Sequence, residues 1–105
     1  MHLRFQLEEV EPPIWREILI RSTSSFMDLH RAIQDACGWE DYHLFEFRDV
    51  TGKKVIAGTG DDDDRKTPDA ADVYLLSYFK PGSQVTCRYT YDFGDDWNLE
   101  VRLLG

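Results

Sequence analysis

Four side chains in this sequence belong to types that bind metals or move protons: His30, His43, Asp92 and Asp95. Imidazole nitrogens and carboxylate oxygens converging on one point suit a divalent transition metal or general acid–base work. Asp92 and Asp95 flank Gly94 in the run Tyr91-Asp92-Phe93-Gly94-Asp95-Asp96-Trp97, where three carboxylates stand among three aromatic rings. A second set is Trp15, Arg16, Asp92, Asp95 and Trp97. It suits recognition of another protein, because Trp and Arg are enriched at binding hot spots. Arg16 facing Asp92 or Asp95 would form a bidentate pair that fixes the turn. Each set also has a plainer reading. A histidine at a helix border commonly bonds a backbone carbonyl, and an aspartate in a turn commonly caps its own backbone. Trp15 either lies on a sheet face away from the helix or packs under the last hairpin.

The elements that must position these groups are legible from periodicity. Leu3, Phe5 and Leu7 alternate with polar residues, as in a half-buried strand. Pro12-Pro13 ends that strand, because proline donates no ladder bond. Ile14 to Arg21 resumes the alternation, and the pair reads as a hairpin. Ser25 with Asp28 then fits a capping box. Phe26, Leu29, Ile33, Ala36 and Cys37 fall on one helical arc, with His30 at its edge and Asp28, Arg31, Gln34 and Asp35 opposite. Gly38 stands where a helix wants positive φ, and Trp39 can fold back on the helix end. Two further strands are expected over Leu44 to Val50 and Lys54 to Ala57. Residues 58–72 have the composition of a loop, long enough to be either mobile or functional. Val73 to Phe79 fits a strand or a short helical turn. Val85-Cys87-Tyr89-Tyr91 and Trp97-Leu99-Val101-Leu103 form a final hairpin around the turn glycine. One helix after a hairpin, packed on a mixed sheet, predicts a single α+β domain over residues 1–105. It is β-grasp-like, with an added C-terminal β-hairpin extending or capping the sheet.

Composition narrows the function. The 105 residues carry 20 acids against 12 bases, a formal charge of −8. That opposes direct binding to nucleic acid, which needs concentrated Lys and Arg, and favours a basic protein partner. No apolar run approaches the roughly 18 residues of a membrane span, so a cytoplasmic protein with no membrane contact is expected. Cys37 and Cys87 lie in apolar patterns outside any C-x-x-C pair and read as reduced, small hydrophobes. Asp61 to Asp64 reads as a solvated run without EF-hand spacing. There is no G-x-S-x-G, P-loop or G-x-G-x-x-G, so nothing names a catalytic residue.

Several stretches together resemble the plasmid pRiA4b ORF-3-like family, also labelled an insertion-sequence passenger protein family. They are Pro12-Pro13-Ile14-Trp15-Arg16, Leu29-His30-Arg31-Ala32-Ile33-Gln34, Gly38-Trp39, His43-Leu44 with Phe47, Pro81-Gly82, and Tyr89 to Trp97. The resemblance implies a small α+β domain from largely prokaryotic proteins, often near mobile elements. The family pattern often has a histidine two positions after the hairpin Trp; here that position is Leu99. A three-histidine metal site would therefore need His2.

Three functions follow as expectations. The first is a small acidic protein-interaction module, an adaptor or regulator without catalysis. The second is a metal-binding protein or metal-dependent hydrolase using His30, His43, Asp92 and Asp95. The third is an acidic mimic of nucleic acid that blocks a basic partner.

Overall fold

A computed structural model describes residues 1–8, 14–39, 44–59, 67–91 and 97–105. The strands are β1 (His2–Leu7), β2 (Ile14–Leu19), β3 (Phe45–Asp49), β4 (Val55–Gly58), β5 (Thr86–Tyr91) and β6 (Trp97–Leu103). The helices are α1 (Phe26–Cys37) and the short α2 (Leu75–Tyr78), which follows a 3-10 turn over Ala70–Asp72. Val73 to Phe79 therefore resolves as a helical turn rather than a strand. Among the described residues, no helix is long and apolar enough to cross a membrane.

The six strands form one sheet in the order β2-β1-β6-β5-β3-β4, and every neighbouring pair is antiparallel. This corrects the expected sheet in two respects. The strand pairing is not mixed, and the C-terminal hairpin does not sit at the margin. β5 and β6 are the two central strands, joining the N-terminal hairpin to β3 and β4. The physical reason is burial. Cys87, Tyr89 and Tyr91 on β5, and Leu99, Val101 and Leu103 on β6, all turn to the core face. Strands with that much apolar surface gain most at the centre, where both neighbours and the covering layer exclude water.

The helix begins as its sequence requires. The Ser25 side chain accepts from the Asp28 N–H, and Asp28 accepts from the Ser25 N–H, so the capping box is closed. Gly38 follows the last turn at φ 71°, a left-handed conformation that costs glycine nothing. Phe26 packs on Phe47 with ring centroids 4.9 Å apart, and on Phe79 at 6.1 Å. The 70–79 segment docks beside α1 through Phe26 N–H to Val73 C=O and Leu75 N–H to Ser24 C=O bonds. Tyr78 donates its hydroxyl to Thr86 C=O at 2.6 Å.

The far sheet face is polar. Register sets Arg4 between Glu17 and Arg102, and Arg88 between Glu100 and Arg48. An ion pair joins Arg48 to Glu46 at 2.9 Å, and His2 Nε2 lies 3.5 Å from a Glu17 carboxylate oxygen.

Alkaline pH tests the core next to β5. Burial pushes the Cys87 thiol well above its usual range, and burial with the nearby Cys87 and Asp49 pushes Tyr78 up to about 12. Both groups hold their protons to higher pH in the folded chain than in the unfolded one. Their contribution is thus complete below about pH 9 and is lost as pH rises towards 12. The melting temperature should fall across that window, and Tyr78→Phe should flatten the part above pH 10. A wild-type melting temperature that is constant from pH 9 to 12 would contradict this account.

Candidate functional site

Strand register gathers one end of the sheet into a site. Leu7 pairs with Leu99, Tyr91 with Trp97, Phe45 with Tyr91, and Glu46 with Gly58. The described residues that flank segments 9–13, 40–43, 60–66 and 92–96 therefore stand at this same end. The C-terminal turn of α1 arrives there too. Trp39 N–H donates to Gln34 C=O at 3.0 Å, folding Trp39 back over the helix end. Its ring stacks on Tyr91 at 5.1 Å and 14°, with Trp97 6.0 Å away.

Beside these rings lies an apolar cleft of about 280 Å³. Phe5, Leu7 and Leu99 form its floor, and Ala36, Cys37 and Trp39 supply the helix wall. Trp97, Ile14, Trp15 and Arg16 complete it. It exists because α1 is too narrow for the sheet. Six strands span about 24 Å at about 4.8 Å each, while a helix with side chains is about 10 Å across. α1 and the 70–79 segment cover the sheet as far as β1, whose Leu3 and Phe5 are buried, and the β2 flank is left open. Ile14 is accordingly 45% exposed and Trp97 40% exposed. Leu99, the position where the family pattern often has histidine, is buried in the cleft floor.

Electrostatics at the cleft come from Arg16. Its Nη1 donates to its neighbour Trp15 C=O at 2.8 Å, and it forms no ion pair among the described residues. Burial raises the Cys37 thiol pKa, and the Arg16 guanidinium partly offsets that rise. Cys37 and Cys87 are both free thiols, as expected.

The sequence-predicted residues separate. Trp97 and Arg16 meet at the cleft. Trp15 pairs with Gln6, so its side chain belongs to the face away from α1, half-exposed and 5.6 Å from the Arg4 guanidinium. β1 stands between β2 and the last hairpin, and Trp15 lies against Arg4 on the far face, so it does not pack beneath that hairpin. His43, Asp92 and Asp95 lie outside the described residues. Among the described residues, no group of three His, Cys, Asp or Glu side chains could hold a metal. His2 pairs with Leu19 at the opposite end of β1, on the far face, so it does not join His30.

His30 itself is fully buried. It stacks on Phe45 at 3.6 Å, and its Nδ1 lies 2.7 Å from the Tyr89 hydroxyl. Gln34 Nε2 donates to the same oxygen at 3.0 Å. Periodicity put His30 at the apolar border and Gln34 on the solvent side; both are in the core. The apolar arc is wider than its hydrophobic residues suggest, because α1 contacts the sheet below and the 70–79 segment beside it. Tyr89 and Gln34 were not read as a pair. The available signal was His30 and Gln34 at i, i+4, one above the other on the helix.

The comparisons agree with the geometry. The family model described as plasmid pRiA4b ORF-3-like protein matches residues 1–105, and the chain belongs to that family. It is 34% identical over 104 residues to "Uncharacterized protein y4hQ" of Sinorhizobium fredii, covering 98% of this chain and 52% of the relative. It is also similar to the crystal structure of a protein of unknown function, MM3350, from Methanosarcina mazei Go1. That match has 36% identity and a TM-score of 0.87, over 99% of this chain and 59% of the other. The chain thus spans a little over half the length of each of these two relatives.

Replacing Tyr89 with Phe removes the oxygen that His30 and Gln34 share. Loss of a buried hydrogen-bond partner costs about 1–3 kcal/mol. Urea unfolding of Tyr89→Phe should register a loss in that range without a change of fold, and a neutral result would show that the network adds nothing to stability.

Proposed function

We propose that this domain is a small protein-interaction module, an adaptor or regulator rather than a catalyst, and that the open cleft is its contact surface. The observation that carries the reading is the cleft's composition. The Trp39 and Trp97 side chains and the exposed Arg16 converge on an apolar depression that the fold leaves uncovered, with Trp15 at its margin. Aromatic and Arg anchors around a pocket are the usual make-up of a binding hot spot. Large apolar surface left open on a domain marks a contact site more often than chance exposure does. The formal charge of −8 favours a partner with a basic surface. The pairing of Arg16 with Asp92 or Asp95, and the use of those acids as contacts, remain part of this proposal.

Two measurements test it together. The tagged wild-type chain and an Ile14→Glu, Trp97→Ala double variant are each used to capture proteins from an extract of the source organism. Both substituted side chains are substantially exposed, so circular dichroism should be unchanged. A protein retained by wild type and lost by the variant is expected to slow alkylation of Cys37, which lines the cleft. Equal capture by both chains, or unchanged Cys37 alkylation with partner bound, would count against the cleft as the contact surface.

A further inference from the structure

The two edges of this sheet differ. β4 is only four residues long and follows Lys53 and Lys54. Its pairing with β3 shifts register between Phe47 and Arg48, and its Gly58 N–H is taken by Pro68 C=O at 2.9 Å. Short length, lysines, a bulge and a covering segment are the devices that keep an edge from pairing with another chain. β2 is six residues long and has no register shift; prolines precede it at 12 and 13, and its charges, Arg16 and Glu17, stand at its centre.

The ladder shows which β2 groups are open. Ile20 N–H donates to Met1 C=O at 2.9 Å. In an antiparallel pair, bonded and non-bonded positions alternate. Ile14, Arg16 and Ile18 are in phase with Ile20 and turn their backbone groups to β1. Trp15, Glu17 and Leu19 turn theirs outward. Arg16 occupies the Trp15 carbonyl. The other outward groups have no backbone partner among the described residues. On the same edge Trp15 is 49% exposed and Leu19 is 84% exposed.

We propose that β2 pairs antiparallel with β2 of a second copy of this chain, about a two-fold axis at Glu17, joining two six-stranded sheets into one. The axis follows from register. A two-fold perpendicular to the sheet keeps both α1 helices on one side. Centred on Glu17, it sets Trp15 against the second copy's Leu19, Glu17 against its Glu17, and Leu19 against its Trp15. All three outward positions are then paired, each pair contributing two ladder bonds. The most exposed apolar side chain on the edge is covered by an indole. Centring on Arg16 opposes the two Arg16 residues and leaves Leu19 unpaired, and centring on Ile18 leaves Trp15 unpaired. In the Glu17 arrangement Arg16 releases the Trp15 carbonyl to the incoming Leu19 N–H and lays its stem against Ile18. The two Glu17 carboxylates meet near the axis. Each has Arg4 opposite on β1 to reduce the repulsion. The charge of −8 on each copy still opposes association, so added salt tightens it. Pairing of six-residue edges gives an interface no larger than the roughly 1,000 Å² lower limit of a specific contact, so a weak dimer populated at high concentration is expected.

This edge adjoins the cleft through Trp15 and Arg16, but its backbone pairing goes beyond the cleft reading and is tested separately. Sedimentation of the 105-residue chain from about 1 μM to about 1 mM should show the mass rising from 12.3 kDa towards twice that value. Hydrogen exchange should show the Trp15, Glu17 and Leu19 amides gaining protection with concentration, while Arg16 and Ile18 do not change. Leu19→Glu should hold the chain monomeric. Glu17→Pro should do the same, since it removes only an outward N–H. Glu17→Gln should tighten the dimer several-fold. A wild-type chain monomeric at the highest concentration would overturn the proposal. So would a dimer unaffected by Leu19→Glu, or an edge protected only when an extended peptide of another protein is added.

Discussion

The structure depends on a mismatch of widths. Six antiparallel strands make a sheet that one main helix cannot cover, and each further feature of the molecule answers that constraint. α1 is placed over β3, β5 and β6, where the bulkiest rings gather. The 70–79 segment, too short to be a second full helix, fills the space beside it with Leu75, Tyr78 and Phe79. Nothing among the described residues covers the β2 flank on the α1 side. The cleft is what remains, and its apolar lining is the continuation of the core floor past the edge of the helix.

The same constraint explains why the centre of the sheet is built from the end of the chain. β1 and β2 come first in sequence, but β5 and β6 carry the denser apolar alternation. Placing them centrally lets one set of side chains serve both halves of the sheet. Tyr89 shows what this arrangement allows. It is large enough to reach the helix, and its hydroxyl meets His30 and Gln34, so a polar contact inside the core is satisfied rather than left open. A histidine that composition would assign to metal chemistry is, in the fold, stacked on Phe45 and held by a phenol.

The two faces divide the molecule's surface chemistry. On the α1 side, the cleft exposes apolar side chains beside the charged outer face of α1, where Asp28, Arg31 and Asp35 are exposed. On the far side, arginines and glutamates alternate across strands, and Trp15 lies among them against Arg4. Trp15 and Arg16 are adjacent in sequence yet serve opposite faces, since a strand turns successive side chains to opposite sides. The chain belongs to the pRiA4b ORF-3-like family, and its likeness to MM3350 shows the same fold over nearly the whole chain.

Local chemistry by itself determined the helix and the strands. The Ser25–Asp28 box, the Gly38 stop and the alternation of β1, β5 and β6 are decided by neighbours within a few residues, so they were readable one segment at a time. The family was readable for the same reason, from short runs in order. Tertiary structure alone decided which strands stand at the centre, which face Trp15 takes, and that His30 and Gln34 are buried together. The last of these turns on residues 55 and 59 positions apart, Gln34 and His30 with Tyr89, whose meeting no local period records. The cleft belongs to that second kind. It is a property of how much sheet one helix leaves bare, and no residue in the chain carries that information singly.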